Sequence, residues 1–157
     1  MLILASKVAV CTVFSVKLDI GCGSKKTSSE FVGLDISKTP NVNIIASATA
    51  LPFRNESFVE IYTRRCVQHI EDDEKALSEV SRVLQKNGKA TLIVASWRGW
   101  LFYQVKWLFK KKPYAVFHLY TFKKLKQIFE KQGFRSTKIG KIKSHRRFGY
   151  DIIVEVK

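Results

Sequence analysis

Short apolar runs alternate along this chain with stretches of helical periodicity. Val16–Ile20 stops at Gly21 and predicts a buried strand, and Phe31–Ile36, Asn43–Ala46 and Phe58–Tyr62 predict three more, Asn43–Ala46 after a Pro40-Asn41 turn. Between Asp73 and Leu84 the period changes. Ala76, Leu77, Val80, Val83 and Leu84 fall on one helical stripe, with Glu71, Asp72, Asp73 and Glu74 crowding its start and Arg82 and Lys86 near its end, as the helix dipole favours. Asn87-Gly88 is expected to stop this helix, with Gly88 left-handed, and Ala90–Ala95 follows as a fifth strand. Thr121 predicts the N-cap of a second helix reaching Gln132, with Leu125, Ile128 and Phe129 as its apolar face and Gly133 as its stop. Phe134–Ile142 and Tyr150–Val156 close the chain as strands. This alternation is that of an α/β fold: a mainly parallel sheet of about seven strands, helices on both faces, and an antiparallel C-terminal edge.

The chain has 157 residues, 46% of them hydrophobic, which suits one domain with a sizeable core spanning 1–157. No apolar run approaches the ~20 residues that cross a bilayer. Met1–Val16 is largely apolar, but Lys7 interrupts it and no basic stretch precedes it, so it reads as a packed element and not a secretion signal. Cys11, Cys22 and Cys66 are scattered, with no C-x-x-C pair; this fits a reducing, cytoplasmic setting and offers neither a zinc site nor a disulfide frame. The formal charge of +15 is one-sided. Residues 1–96 carry 12 Lys/Arg against 10 Asp/Glu, whereas 97–157 carry 16 against 3. A field of that shape attracts anions: nucleic acid, a phosphorylated substrate or an acidic membrane surface.

Candidate chemistry begins at Gly21-Cys22-Gly23, directly after the first strand, where a tight turn brings backbone close to a ligand. Asp35 ends the next strand, where a carboxylate can accept hydrogen bonds from both hydroxyls of a ribose. Only Ser24–Glu30, all polar, separates the turn from strand two. Parallel strands need a crossover of about a dozen residues, so the usual helix is predicted to shrink to a turn or two, or to a loop. Pyrophosphate cofactors use a full helix N-terminus at this place, which disfavours NAD or FAD and leaves a nucleoside without phosphate.

Taken in order, Leu18–Gly23, Val32–Ile36, Ala46–Phe53 with Asn55–Phe58, Gln68-His69-Ile70, Ala76–Leu84, Asn87-Gly88 and Tyr120-Thr121-Phe122 through Gly133-Phe134 resemble the class I, Rossmann-like S-adenosylmethionine-dependent methyltransferases, type 11 group, over about residues 16–157. The resemblance implies S-adenosylmethionine as cofactor. It places Asp19 near the methionine amino group with the Gly21, Cys22 and Gly23 backbone beside it, Asp35 on the ribose and Ile36 against adenine. Ser47 and Ala48 meet the adenine edge, and Thr63 and Arg64 lie near the methionine end. Two positions depart from the family pattern. Lys25 stands where a third glycine is common, and Ser47 where an acid is usual; serine accepts a hydrogen bond without charge, so weaker binding is expected.

Methyl transfer is an in-line displacement at an already activated sulfonium, so the protein mainly aligns the acceptor and no universal catalytic residue is required. None is assigned. The family pattern puts His69 structurally at a helix start, while His118 and Tyr120, ahead of the late helix, are candidates to border the acceptor pocket. Trp97–Tyr120 interleaves aromatic residues with Arg98, Lys106 and Lys110-Lys111-Lys112, and is expected to cover the acceptor site. Aromatic faces beside cations stack bases and hold phosphates, and also suit a membrane interface. Lys141, Lys143, Arg146 and Arg147 could extend a phosphate-binding rim, with His145 in the same loop. The expectation is methyl transfer to RNA or a ribosomal acceptor first, and to a hydrophobic small molecule or lipid second. Lys25 and Ser47 motivate an alternative, a non-catalytic binding module on a methyltransferase-like scaffold.

Overall fold

The computed structural model describes residues 15–96, 116–134, 137–143 and 150–156. Seven strands form one sheet: β1 (Lys17–Ile20), β2 (Phe31–Asp35), β3 (Ile44–Ile45), β4 (Phe58–Arg64), β5 (Leu84–Ala95), β6 (Thr137–Lys143) and β7 (Tyr150–Val156), in the order β3-β2-β1-β4-β5-β7-β6. The first five are parallel, and β7 runs antiparallel between β5 and β6. Helices α1 (Asp73–Val83) and α2 (Phe122–Lys131) and a 3₁₀ turn at Val67–His69 complete the described elements.

Alternation along the strands decides what each sheet face holds. Leu18, Ile20, Leu34, Ile61, Ala90, Leu92, Val94, Ile152, Val154 and Val156 point one way and form a single core with Leu77, Val80 and Val83 of α1 and Leu125, Ile128 and Phe129 of α2. Both helices lie on this face, and α2 meets α1 through Ser81 Oγ, which donates to the Gln132 carbonyl, and through Lys131 paired with Glu74. The described residues therefore supply helices to one face. The opposite face is polar at the N-terminal end of the parallel strands. Lys17, Glu60 and Lys89 sit in register across β1, β4 and β5, with Lys17 paired to Glu60 at 3.2 Å and to Glu30 at 3.0 Å, and Lys89 to Glu155 at 2.8 Å.

The helices start as predicted. Asp72 caps α1 by accepting from the Lys75 amide, and Thr121 caps α2 by accepting from the Lys124 amide. Gly133 ends α2 with φ +79°. The expected stop at Asn87-Gly88 is corrected: α1 ends at Val83, Leu84 turns extended at φ −75° and ψ 135°, and Gly88 lies inside β5 without a positive φ. A Cβ on Gly88 would come within 2.7 Å of Leu84 Cδ1, so glycine serves there for close packing and not for a left-handed cap. β5 is correspondingly longer than predicted, with a register irregularity between the Phe58–Leu84 and Glu60–Lys89 pairs. The β1–β2 crossover contains no helix, the looped form of the two that its length allowed.

Candidate functional site at the C-terminal edge of the sheet

The chain leaves β1 toward β2 on one side and returns to β4 on the other. The strand order thus reverses between β1 and β4, the place where open α/β sheets leave a crevice beyond their carboxyl ends. A cleft of about 460 Å³ lies there, lined by Asp19, Gly21–Lys25 and Thr27 from the β1 side and by Arg64 and Arg65 from the end of β4.

The loop that frames it is held by its own polar groups. The Gly21 and Cys22 amides both donate to the Leu34 carbonyl, at 2.7 and 3.2 Å. Asp19, 2% exposed, accepts from the Thr27 amide at 2.7 Å and so ties the middle of the crossover to β1. Burial raises the Asp19 pKa, and the Thr27 hydrogen bond and the nearby Arg64 charge offset this only in part. Thr39 Oγ1 and Asn41 Nδ2 donate to the Gly23 and Ser24 carbonyls. Asp35 turns back onto the bend: Oδ2 accepts from the Gly23 amide and Oδ1 from the Ser37 amide, each at 3.0 Å.

The two glycines of the bend serve different ends. Gly21 has φ +71°, and a Cβ there would lie 2.4 Å from both Cβ and Sγ of Cys66. Gly23 has φ +53°, and no described residue lies within 4 Å of where its Cβ would stand. Gly21 is thus packed by the protein itself, whereas Gly23 borders open space. Cys66 is partly buried, and desolvation pushes its thiol up to about 12. Thr63, 1% exposed, lies beneath the cleft with its hydroxyl beside that thiol and without an oxygen or nitrogen partner among the described residues. Next to Asp35, Ile36 is 75% exposed, an apolar platform at the rim.

A family model for the methyltransferase domain matches residues 18–92, from the middle of β1 into β5. Over these residues the chain resembles a methyltransferase domain. An uncharacterized protein of Methanocaldococcus jannaschii is 34% identical over 149 residues, which cover 85% of this chain and 55% of that protein. Phosphoethanolamine N-methyltransferase 2 of Caenorhabditis elegans is 29% identical over 136 residues, covering 74% of this chain and 30% of that one. The chain thus spans about half the length of the first of these relatives and less of the second. Among solved structures, an S-adenosylmethionine-dependent methyltransferase of Thermotoga maritima, a possible histamine N-methyltransferase, superposes with a TM-score of 0.69 at 19% identity, over 90% of this chain and 81% of that one. Haemonchus contortus phosphoethanolamine N-methyltransferase 2, in complex with S-adenosyl-L-methionine, gives 0.66 at 16% identity, over 90% and 48%. These likenesses establish the Rossmann-like methyltransferase fold.

The cleft gathers Asp19, Gly21, Cys22, Gly23 and Arg64 of the expected site, and Asp35 joins them through the Gly23 amide. Ile36, Ser47, Ala48 and Thr63 lie outside the cleft lining. Ser47 is engaged in its own turn, where its hydroxyl accepts from the Thr49 amide and pairs with Thr49 Oγ1 at 2.8 Å. The Cys22 side chain packs away from the cleft, so close to Gly33 that a Cβ there would meet its sulfur at 2.8 Å.

Tyr120 is corrected as a pocket residue. It is fully buried and donates to Asp73 Oδ2 at 2.8 Å, with His118 Nδ1 3.6 Å from the same oxygen and His118 Nε2 2.8 Å from the Glu71 carbonyl. These residues anchor the chain ahead of α2 to the start of α1. His69 closes the 3₁₀ turn, with its amide donating to Cys66. Residues 97–115, His145, Arg146 and Arg147 lie outside the described residues.

Sequence reasoning did not single out Arg65 or Thr27. Arg65 has φ +57° and makes two hydrogen bonds to Asp151 Oδ2 of β7, at 3.1 and 2.5 Å. The signal for Arg65 was its place directly after a parallel strand, where residues face the crevice.

Proposed function

We propose that this protein is a methyltransferase that uses S-adenosylmethionine and acts on an anionic acceptor, with RNA the first class to test. The observation that carries the reading is the Asp35 carboxylate folded onto the Gly23 amide, between an exposed Ile36 and an open cleft. The remaining lone pairs of Asp35 suit two ribose hydroxyls, and Ile36 suits the face of an adenine. The space beside Gly23 admits the sulfonium region, and buried Asp19 at the far end of the cleft suits an ammonium. The crossover loop offers no helix N-terminus for a pyrophosphate, and this cofactor has none. The bound cofactor would supply an activated methyl group; the residues present bind and orient it.

An anionic acceptor is supported by the charge of the C-terminal part and by exposed Lys123, Lys124, Lys141 and Lys143. A small phosphorylated amine is the second reading, favoured by the likeness to phosphoethanolamine N-methyltransferase 2. Calorimetric titration with S-adenosylmethionine, followed by labelled methyl transfer to fractionated RNA and to phosphoethanolamine, tests both steps. Binding by the wild type and its loss in Asp35→Ala are expected. No binding at millimolar cofactor would reject the reading, and binding without transfer to any fraction would favour the non-catalytic alternative.

A further inference from the structure

The cleft holds more positive charge than its framing role requires. Of its cations, Arg65 is committed to Asp151. Lys25 and Arg64 are exposed, and neither makes an ion pair or side-chain hydrogen bond with any described residue. The neighbouring Lys26 differs, since its ammonium donates to Asn43 Oδ1 at 3.1 Å. Among the described residues the lone acid of the lining is Asp19, buried at the base and already accepting from Thr27. One recessed carboxylate faced by two uncommitted cations at the mouth is the charge pattern that complements an α-amino acid zwitterion, with ammonium inward and carboxylate outward.

The geometry points to Lys25 and Arg64 as the anchor for the α-carboxylate of the cofactor's methionine moiety. This rests on the methyltransferase reading above and adds a residue that the family pattern does not supply, because a glycine is common at position 25. A ligand with its adenine on Ile36 and its ribose on Asp35 must send its other end across Gly23, the position with no atom within 4 Å of a Cβ, and into the cleft where Lys25 and Arg64 stand. A carboxylate there gains charge-assisted hydrogen bonds from two donors on opposite walls, one from the loop after β1 and one from the end of β4. Lys25 thus acts as a specificity residue for an intact amino acid tail. The same positive surplus opposes a sulfonium, which leaves the carboxylate as the one group of the tail that the two cations favour.

The test compares S-adenosylmethionine with decarboxylated S-adenosylmethionine, which keeps the sulfonium and the ammonium. Affinities are measured by calorimetry on the wild type, Lys25→Gly, Lys25→Arg and Arg64→Met. Both side chains are exposed and without a described partner, so folding should be unchanged, and a thermal melt checks this. Lys25→Gly and Arg64→Met should each weaken S-adenosylmethionine about tenfold, the scale of one charge-assisted hydrogen bond. They should leave the decarboxylated compound unchanged or slightly tighter, since a repelling cation is removed, and Lys25→Arg should keep most of the affinity for S-adenosylmethionine. Equal losses for both compounds, or no loss in Lys25→Gly, would overturn the assignment while the cofactor reading stands. If the wild type binds neither compound, both fall together.

Discussion

Alanine at the two glycines of the bend should separate folding from ligand binding. Both residues have a positive φ, which costs an L side chain about 1–2 kcal/mol. At Gly23 that is the whole cost, because the new methyl meets nothing within 4 Å. For a chain of this length each kcal/mol lowers Tm by about 2–4 °C, so Gly23→Ala should melt roughly 2–8 °C lower and stay folded. Its methyl stands in the space the cofactor needs, so affinity should collapse. At Gly21 the methyl would lie 2.4 Å from Cys66 Cβ and Sγ, which adds about 1–3 kcal/mol of overpacking. Gly21→Ala should therefore lose about 2–5 kcal/mol and melt roughly 4–20 °C lower. Because Cys66 Cβ is itself in the clash, Cys66→Ala should not relieve it, whereas Cys66→Gly should. Thermal and urea denaturation with calorimetric titration reads both properties. Equal destabilisation at the two positions, rescue by Cys66→Ala, or normal cofactor affinity in Gly23→Ala would refute the division of roles.

Asp19→Asn should stabilise the domain at neutral pH and weaken the cofactor. Burial raises the Asp19 pKa above its ordinary 3.8, so the ionised form costs the folded state stability that is lost as pH rises from there through the folded value. The gain in urea denaturation should vanish below about pH 4, near the unfolded value; a gain at every pH would point elsewhere. Tyr120→Phe should cost about 1.5–3 kcal/mol in denaturation, the worth of a buried hydroxyl bonded to a carboxylate, and Asp73→Asn in that background should cost little more. A loss near zero would mean that His118 suffices. Glu79→Gln should loosen the 51–55 loop, since Glu79 accepts from the Leu51 amide and holds Arg82, which donates to the Leu51 and Phe53 carbonyls. The Arg82 hydrogen bond keeps the Glu79 pKa below its ordinary 4.5, so this stability is present above that value and should fade as pH drops through the folded pKa. Acid denaturation that is identical in the variant would contradict it.

Wherever a local pattern had a local cause, the sequence was sufficient. The caps at Thr121 and the acidic start of α1, the stop at Gly133, the strand Tyr150–Val156 and the helix-free crossover all follow from neighbouring residues. Gly88 misled because a glycine after a helical stripe suits a left-handed cap and a tight strand contact equally well, and Leu84, at the start of the same strand, decides between them. Asp35 was legible from its place at a strand end, but its bond to Gly23 was not. Tyr120 looked like a pocket residue because its partner, Asp73, lies 47 positions earlier. The Arg65–Asp151 pair is likewise invisible along the chain, spanning 86 positions.

The row of Lys17, Glu60, Lys89 and Glu155 bears on how this scaffold could be remodelled. A helix grafted between β1 and β2 would have to take those four side chains further out of water. Lengthening the crossover alone should therefore give a dangling insertion. Only a graft that also exchanges the ion pairs for valine or isoleucine could seat. Those exchanges without the graft would leave a sticky, sheet-sized surface open to self-association.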